Sequence, residues 1–162
     1  MKMTHEHNSK LEFTPPHPLK TAVLFLVFNR LDTTKQVFEA IRQAKPPRLY
    51  VAADGAREAK EGEDQKVKAI REYILQHIDW DCEVKTLFRE KNLGCKIAVS
   101  SAITWFFENE EMGIILEDDC LPSQSFFWFC EELLERYKDD MRIMMVSGYN
   151  KVQRYNQQNS YF

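Results

Sequence analysis

No period runs through residues 1–19, where Pro15, Pro16 and Pro18 forbid regular helix and withhold backbone donors from a sheet. That stretch reads as a flexible arm, with order beginning near Lys20. Residues 21–28 then form an unbroken apolar run, the pattern of a strand buried on both faces. Val37, Phe38, Ile41 and Ala44 follow at helical spacing. Asp32 or Thr33 can cap that helix, Thr33 with Gln36 matches a capping box, and Pro46 with Pro47 ends it. Residues 48–53 read as a second strand, stopped by Asp54 and Gly55. A second helix carries Val67, Ile70, Ile74 and Ile78 on its inner face. Residues 82–88 alternate as a third strand, 89–94 form a loop, and 97–107 carry a third helical pattern. A fourth strand is expected over 112–117, an aromatic-rich helix over 126–137 and a fifth strand over 142–147. Strands alternating with helices predict an α/β fold: an open, mostly parallel sheet with helices on both faces.

Composition narrows the field. The 162 residues suit one domain, with 44% apolar and 29% charged positions and eleven Phe, so the bulk of the chain can build a core. We divide it into the arm (1–19), an α/β domain (20–150) and a polar segment (151–162) that reads as the point where a longer chain continues. A net charge of -3 argues against nucleic acid as a partner. No apolar run approaches the roughly 20 residues of a membrane span, and residues 1–20 lack the apolar core of a signal peptide. Cys82, Cys95, Cys120 and Cys130 have no metal or disulfide spacing, so the chain is expected to work in the cytoplasm or at the inner membrane face, with its thiols reduced. The four histidines have no ligand spacing either.

In open parallel sheets ligands lie beyond the carboxyl ends of the strands, and here every such end is polar. The first runs into Asn29 and Arg30, the second into Asp54 and Gly55, and the third into the 89–94 loop. The fourth runs into Glu117, Asp118 and Asp119, and the fifth into Ser147, Gly148, Tyr149 and Asn150. If extended backbone persists through that triplet, Glu117 and Asp119 point to one side about 7 Å apart. They then repel by about 2 kcal/mol at an effective dielectric near 20. Such a cluster calls for a cation, a Lys or Arg, or protonation, and oxygen ligands beside phosphate favour Mg²⁺ or Mn²⁺ over zinc. The triplet can equally cap the turn and helix that follow, and spacing alone leaves both open. Arg30 can hold a phosphate or sit solvated at a helix start. Asp54 with Gly55 can face a nucleobase or simply turn the chain. Asn92 and Gly94, with Lys96 in the next turn, can offer amides and a cation to a pyrophosphate or form an ordinary capping loop. Phe126 to Phe129 read as core rather than a sugar platform. Receiver and haloacid-phosphatase patterns need acids after an early strand, which Asn29 and Arg30 do not supply. No dinucleotide, P-loop or nucleophile-elbow motif occurs.

Taken together, Arg30, Asp54 with Gly55, the Asn92 to Gly94 loop and the acidic triplet resemble, in that order, the nucleotide-sugar half of GT-A glycosyltransferases. The likeness is greatest to family 2-like bacterial enzymes and to N-acetylglucosaminyltransferase type I. Residues 114–127 are similar to that family's acidic strand end, loop and aromatic helix, and 142–150 to the strand that follows. The likeness covers residues 20–150. It implies that Asp119 ligates a divalent ion, Mn²⁺ or Mg²⁺, bridging the donor diphosphate, while Glu117 and Asp118 face the ribose and donor sugar. It implies that Asp54 reads a uracil edge, Arg30 serves the base and phosphate end, and Asn92, Gly94 and Lys96 lie near the donor. Phe28 and Asn29 occupy the base-binding position, departing there from the commoner Tyr-Asn or Cys-Asp forms. The implied activity is inverting transfer from a nucleotide-diphospho-sugar, a UDP-sugar, to a hydroxyl of a carbohydrate or other acceptor. No general base can be named, and the resemblance implies that it lies beyond this portion. The alternatives are a non-catalytic nucleotide- or carbohydrate-binding module of the same fold, and a sugar-nucleotide pyrophosphorylase. The latter expects a Gly-rich signature after the first strand, which is absent.

Overall fold

The computed structural model describes residues 13–148. β1 (Val23–Val27), β2 (Arg48–Ala53), β3 (Glu83–Phe88) and β4 (Ile114–Glu117) form one sheet in the order β3-β2-β1-β4, every pair parallel. Helices α1 (Leu31–Ala44), α2 (Glu63–His77) and α3 (Gly94–Phe107) connect successive strands, and α4 (Gln124–Tyr137) follows β4. The architecture is therefore the expected Rossmann-like α/β fold.

Period 2 along β1 sorts its side chains. Val23, Phe25 and Val27 join a core with Val37, Phe38 and Ile41 of α1, Ile70 and Ile74 of α2, and Phe127 and Trp128 of α4. Ala22, Leu24 and Leu26 face the other way, onto Ala102 and Phe106 of α3. Chain handedness explains the split. The path β1 to β2 to β3 steps one way along the sheet, so right-handed crossovers put α1 and α2 on one face. From β3 the chain returns past β2 and β1 to reach β4, and the same handedness puts α3 on the opposite face.

Three expectations change. The 142–147 segment is not a strand: the carboxylate of Asp140 accepts the backbone N–H of Arg142 at 3.2 Å and its Nε at 2.8 Å, turning the chain, and Met144 and Met145 stand exposed. Tyr149, Asn150 and everything after them lie outside the described residues, as do residues 1–12. Residues 13–19, expected in the flexible arm, are strapped to α4. The indole N–H of Trp128 donates to the carbonyl of His17 at 2.8 Å, and Leu19 is buried in the core. The Glu131 carboxylate accepts the backbone N–H groups of Lys20 and Thr21 at 2.7 and 2.8 Å. The capping box at α1 does not form either, because the helix begins at Leu31 and leaves Asp32 and Thr33 inside its first turn.

Candidate functional site

The strand order reverses between β1 and β4, so the carboxyl ends of these two strands, one leading to Arg30 and the other to the acids, lie side by side. The sheet register brings all four exits to one rim: Val27 pairs with Ala53, Ala53 with Phe88, and Leu26 with Glu117.

Arg30 and the acids meet at that rim. Arg30 is the N-cap residue of α1, and its carbonyl is pinned by the N–H and hydroxyl of Thr34 at 3.0 and 2.7 Å. Its guanidinium reaches across to β4, Nη2 to Asp118 Oδ1 at 2.9 Å and Nη1 to Asp119 Oδ2 at 3.0 Å. Asp118 also accepts the Phe28 N–H at 3.3 Å, so one carboxylate ties the exits of β1 and β4 together. The strand does not continue through the triplet as an extended chain. Its last β1 pairing is at Glu117, and the chain turns there with the Cys120 N–H on the Glu117 carbonyl at 3.2 Å. Asp118 and Asp119, not Glu117 and Asp119, therefore share a partner, and Glu117 is exposed. The repulsion foreseen for the triplet is relieved by an arginine, one of the three routes open to it.

The pair pulls in two directions. Arg30 is pushed up, chiefly by the charge of Asp118. Burial of Asp118 at the strand end raises its own carboxyl despite Arg30 and the Phe28 N–H, which pull it down. We read the pair as ionised, because Asp118 Oδ1 meets a guanidinium that cannot give up its proton. Asp118, Glu63 and Thr34 are the buried polar side chains among the described residues, and all three sit at this rim. A fold that buries charge here accepts a desolvation cost that an apolar trio would avoid.

The second cluster was not anticipated. Glu63, the first residue of α2, is buried and ion-paired to Arg57, and it accepts the side-chain N–H of Asn29 at 2.8 Å and the backbone N–H of Arg57 at 2.8 Å. Hydrogen bonds from Arg57 hold its carboxyl down at about 2. The guanidinium of Arg57 lies 5.5 Å from the centre of the Phe28 ring, so Phe28 and Asn29 are both fixed from the β2 side. The acidic start of α2 was a visible signal, but its partners lie 6 and 34 residues away in sequence.

Asp54 and the 92–94 loop come together, and with each other. The Asp54 carboxylate accepts the N–H groups of Leu93 at 3.0 and 3.1 Å and of Gly94 at 3.0 Å, capping α3. Asn92 donates to the Gly55 carbonyl at 2.7 Å. A Cβ on Gly55 would come within 2.5 Å of the Lys91 backbone, so only glycine lets the two loops approach. The amides expected to face a pyrophosphate are thus spent inside the protein, the capping arrangement of the two considered. Arg71 closes the same rim, donating to the carbonyls of Asp54 at 3.0 Å and Arg89 at 2.7 Å. Lys96 is exposed in the first turn of α3.

A cleft of about 1800 Å³ opens elsewhere, along α4 and the 13–21 strap. It is lined by none of Arg30, Asp54, Asp118 or Asp119, although it begins at Leu121, just past the acids. The cleft holds paired charge as well, Glu110 with Arg48, but the buried acids Asp118 and Glu63 lie at the rim, where the strand order reverses.

Among the described residues no three His, Cys, Asp or Glu side chains converge as a metal cage. The side chain of Asp119 is 41% exposed and can offer one carboxylate. That fits a Mg²⁺- or Mn²⁺-type ion carried mainly by substrate phosphates, and does not fit a resident ion held by protein alone. All four cysteines are free, and among the described residues no helix is long and apolar enough to cross a membrane. No family model matches the chain, and none of the curated proteins searched matches it.

Proposed function

We propose that the β1–β4 crevice binds the diphosphate of a nucleotide-diphospho-sugar, a UDP-sugar, and that the chain is the donor-binding part of a glycosyltransferase. The observation that carries this reading is Arg30 bridging Asp118 and Asp119 at the point where the sheet reverses its order. An arginine presents five N–H donors, and the two contacts to the acids leave others for phosphate oxygens. Asp118 is the positioning residue, buried and aimed at Arg30, and the more exposed Asp119 faces the ligand. Phe28 and Asn29, braced by Arg57 and Glu63, form the nucleoside side of the crevice. Asp54 acts one step back by fixing the 92–94 loop. A divalent ion held by Asp119 and the diphosphate would neutralise charge on the leaving group. In the same crevice Arg30 stabilises that charge by hydrogen bonds already oriented before the donor arrives. A binding module that takes nucleotide without transferring sugar shares all of this geometry, and donor turnover separates the two.

Titration calorimetry of UDP with Mn²⁺ tests the site. We expect metal-dependent binding that Asp119→Ala weakens by about 100-fold or more, since even residues one step behind a metal ligand cost about 10–100-fold. Asp119→Ala is the informative variant because Arg30→Ala would strand the buried Asp118 charge and destabilise the fold. Binding by wild type and Asp119→Ala alike, or by neither, overturns the assignment.

A further inference from the structure

α3 is apolar around most of its circumference, yet only Ala102 and Phe106 of its fourteen residues are buried. Helices of that character are ordinarily covered on all sides. Among the described residues three helices cover the first face of the sheet, whereas α3 lies alone on the second. Its uncovered side is ordered. Leu93, Ile97, Ser100, Thr104 and Phe107 recur at intervals of four and three residues and fall within about 120° of arc, together with Lys96 and Glu108 at the margins. Leu93, Ile97 and Phe107 are 40%, 52% and 46% exposed.

Apart from Leu93, the stripe and its margins are also symmetric about the level of Ala102. Lys96 and Glu108 each lie six residues from it, Ile97 and Phe107 five, Ser100 and Thr104 two. We propose that this face is the contact between two copies of the chain, with α3 packed antiparallel on α3 about a twofold axis at the level of Ala102. Crossed so that the rows of every fourth residue lie along one another, Lys96, Ser100, Thr104 and Glu108 of one copy run beside the same row of the second, with Lys96 level with its Glu108 at both ends and Ile97 and Phe107 flanking the row. The small Ser100 and Thr104 at the centre let the helices approach closely. An isologous contact needs a self-complementary patch of this kind. Parallel packing would instead set Lys96 on Lys96 and Glu108 on Glu108, so charge selects the antiparallel pair. Neither residue has an ion-pair partner among the described residues.

Sedimentation of the full chain across a concentration series tests the pairing. The mass should rise from 19.2 kDa towards twice that value as concentration increases. Lys96→Glu alone and Glu108→Lys alone should each weaken the dimer by about tenfold or more, since each sets like charges face to face. The doubly exchanged chain, Lys96→Glu with Glu108→Lys, should recover it, because each end again pairs opposite charges. Both positions are exposed, so circular dichroism should show all three variants folded. A chain monomeric at every concentration overturns the proposal, and so does a dimer that the single reversals leave intact or the double exchange fails to restore.

Discussion

At the scale of residues, the site depends on three polar side chains being buried together with their partners. Glu63 shows the consequence most directly. Its carboxyl is held at about 2 in the fold against an ordinary value of 4.5, chiefly by Arg57. A depressed carboxyl contributes stability that is fully present above pH 4.5 and is lost as the pH falls towards 2. The wild-type chain should therefore lose stability more steeply across that window than Glu63→Gln, measured as urea midpoints at a series of pH values. Equal slopes would mean that the Glu63 to Arg57 contact does not persist in solution. Asp118 has the opposite sign: burial raises it, so its ionised form is favoured by the fold only as far as Arg30 and the Phe28 N–H offset desolvation. Arg30, Asp118 and Asp119 were legible in the sequence because each stands at the end of an apolar run. Glu63 and Arg57 were not, because nothing local marks a contact between a helix start and a charged loop as buried.

At the scale of elements, each strand exit is fixed by a side chain from a neighbouring connection. β1 and β4 are joined through Asp118, β2 and β3 through Arg71, and the start of α3 is held by Asp54. Asp54→Ala removes an acceptor from the N–H groups of Leu93 and Gly94 and should lower stability by about 2 kcal/mol. The urea midpoint would fall with its slope unchanged, and an unchanged midpoint would contradict the capping role. The β1 and β2 runs were read to within two residues of their bounds, and the α2 stripe fell on that helix except for Ile78, which caps its end, because apolar runs and 3.6-residue stripes state burial directly. Residues 142–147 show where that reasoning stops. Their composition suits a strand, but a strand exists only where a neighbour takes its backbone hydrogen bonds, and here the Asp140 turn leads the segment away exposed. The α1 capping box missed for a similar reason: the helix started three residues before the Thr33 cap would place it, around the pinned carbonyl of Arg30.

At the scale of the whole molecule, the order β3-β2-β1-β4 puts the crevice between the strand that ends in Arg30 and the strand that ends in the acids. Sequence alone gave parallel strands and polar ends, but not their order, which arises from non-local pairing. Had β4 joined next to β3, Arg30 and Asp119 would stand on different parts of the rim. The sheet's reversal therefore turns separately weak motifs into one site, and the proposed donor chemistry rests on it. Anomalous diffraction at the manganese edge, from crystals grown with UDP and Mn²⁺, tests that claim most directly. The account predicts a manganese peak beside Asp119, between β1 and β4, that is lost when UDP is omitted. A peak at another surface, or an empty crevice with both ligands at saturating concentration, would contradict it.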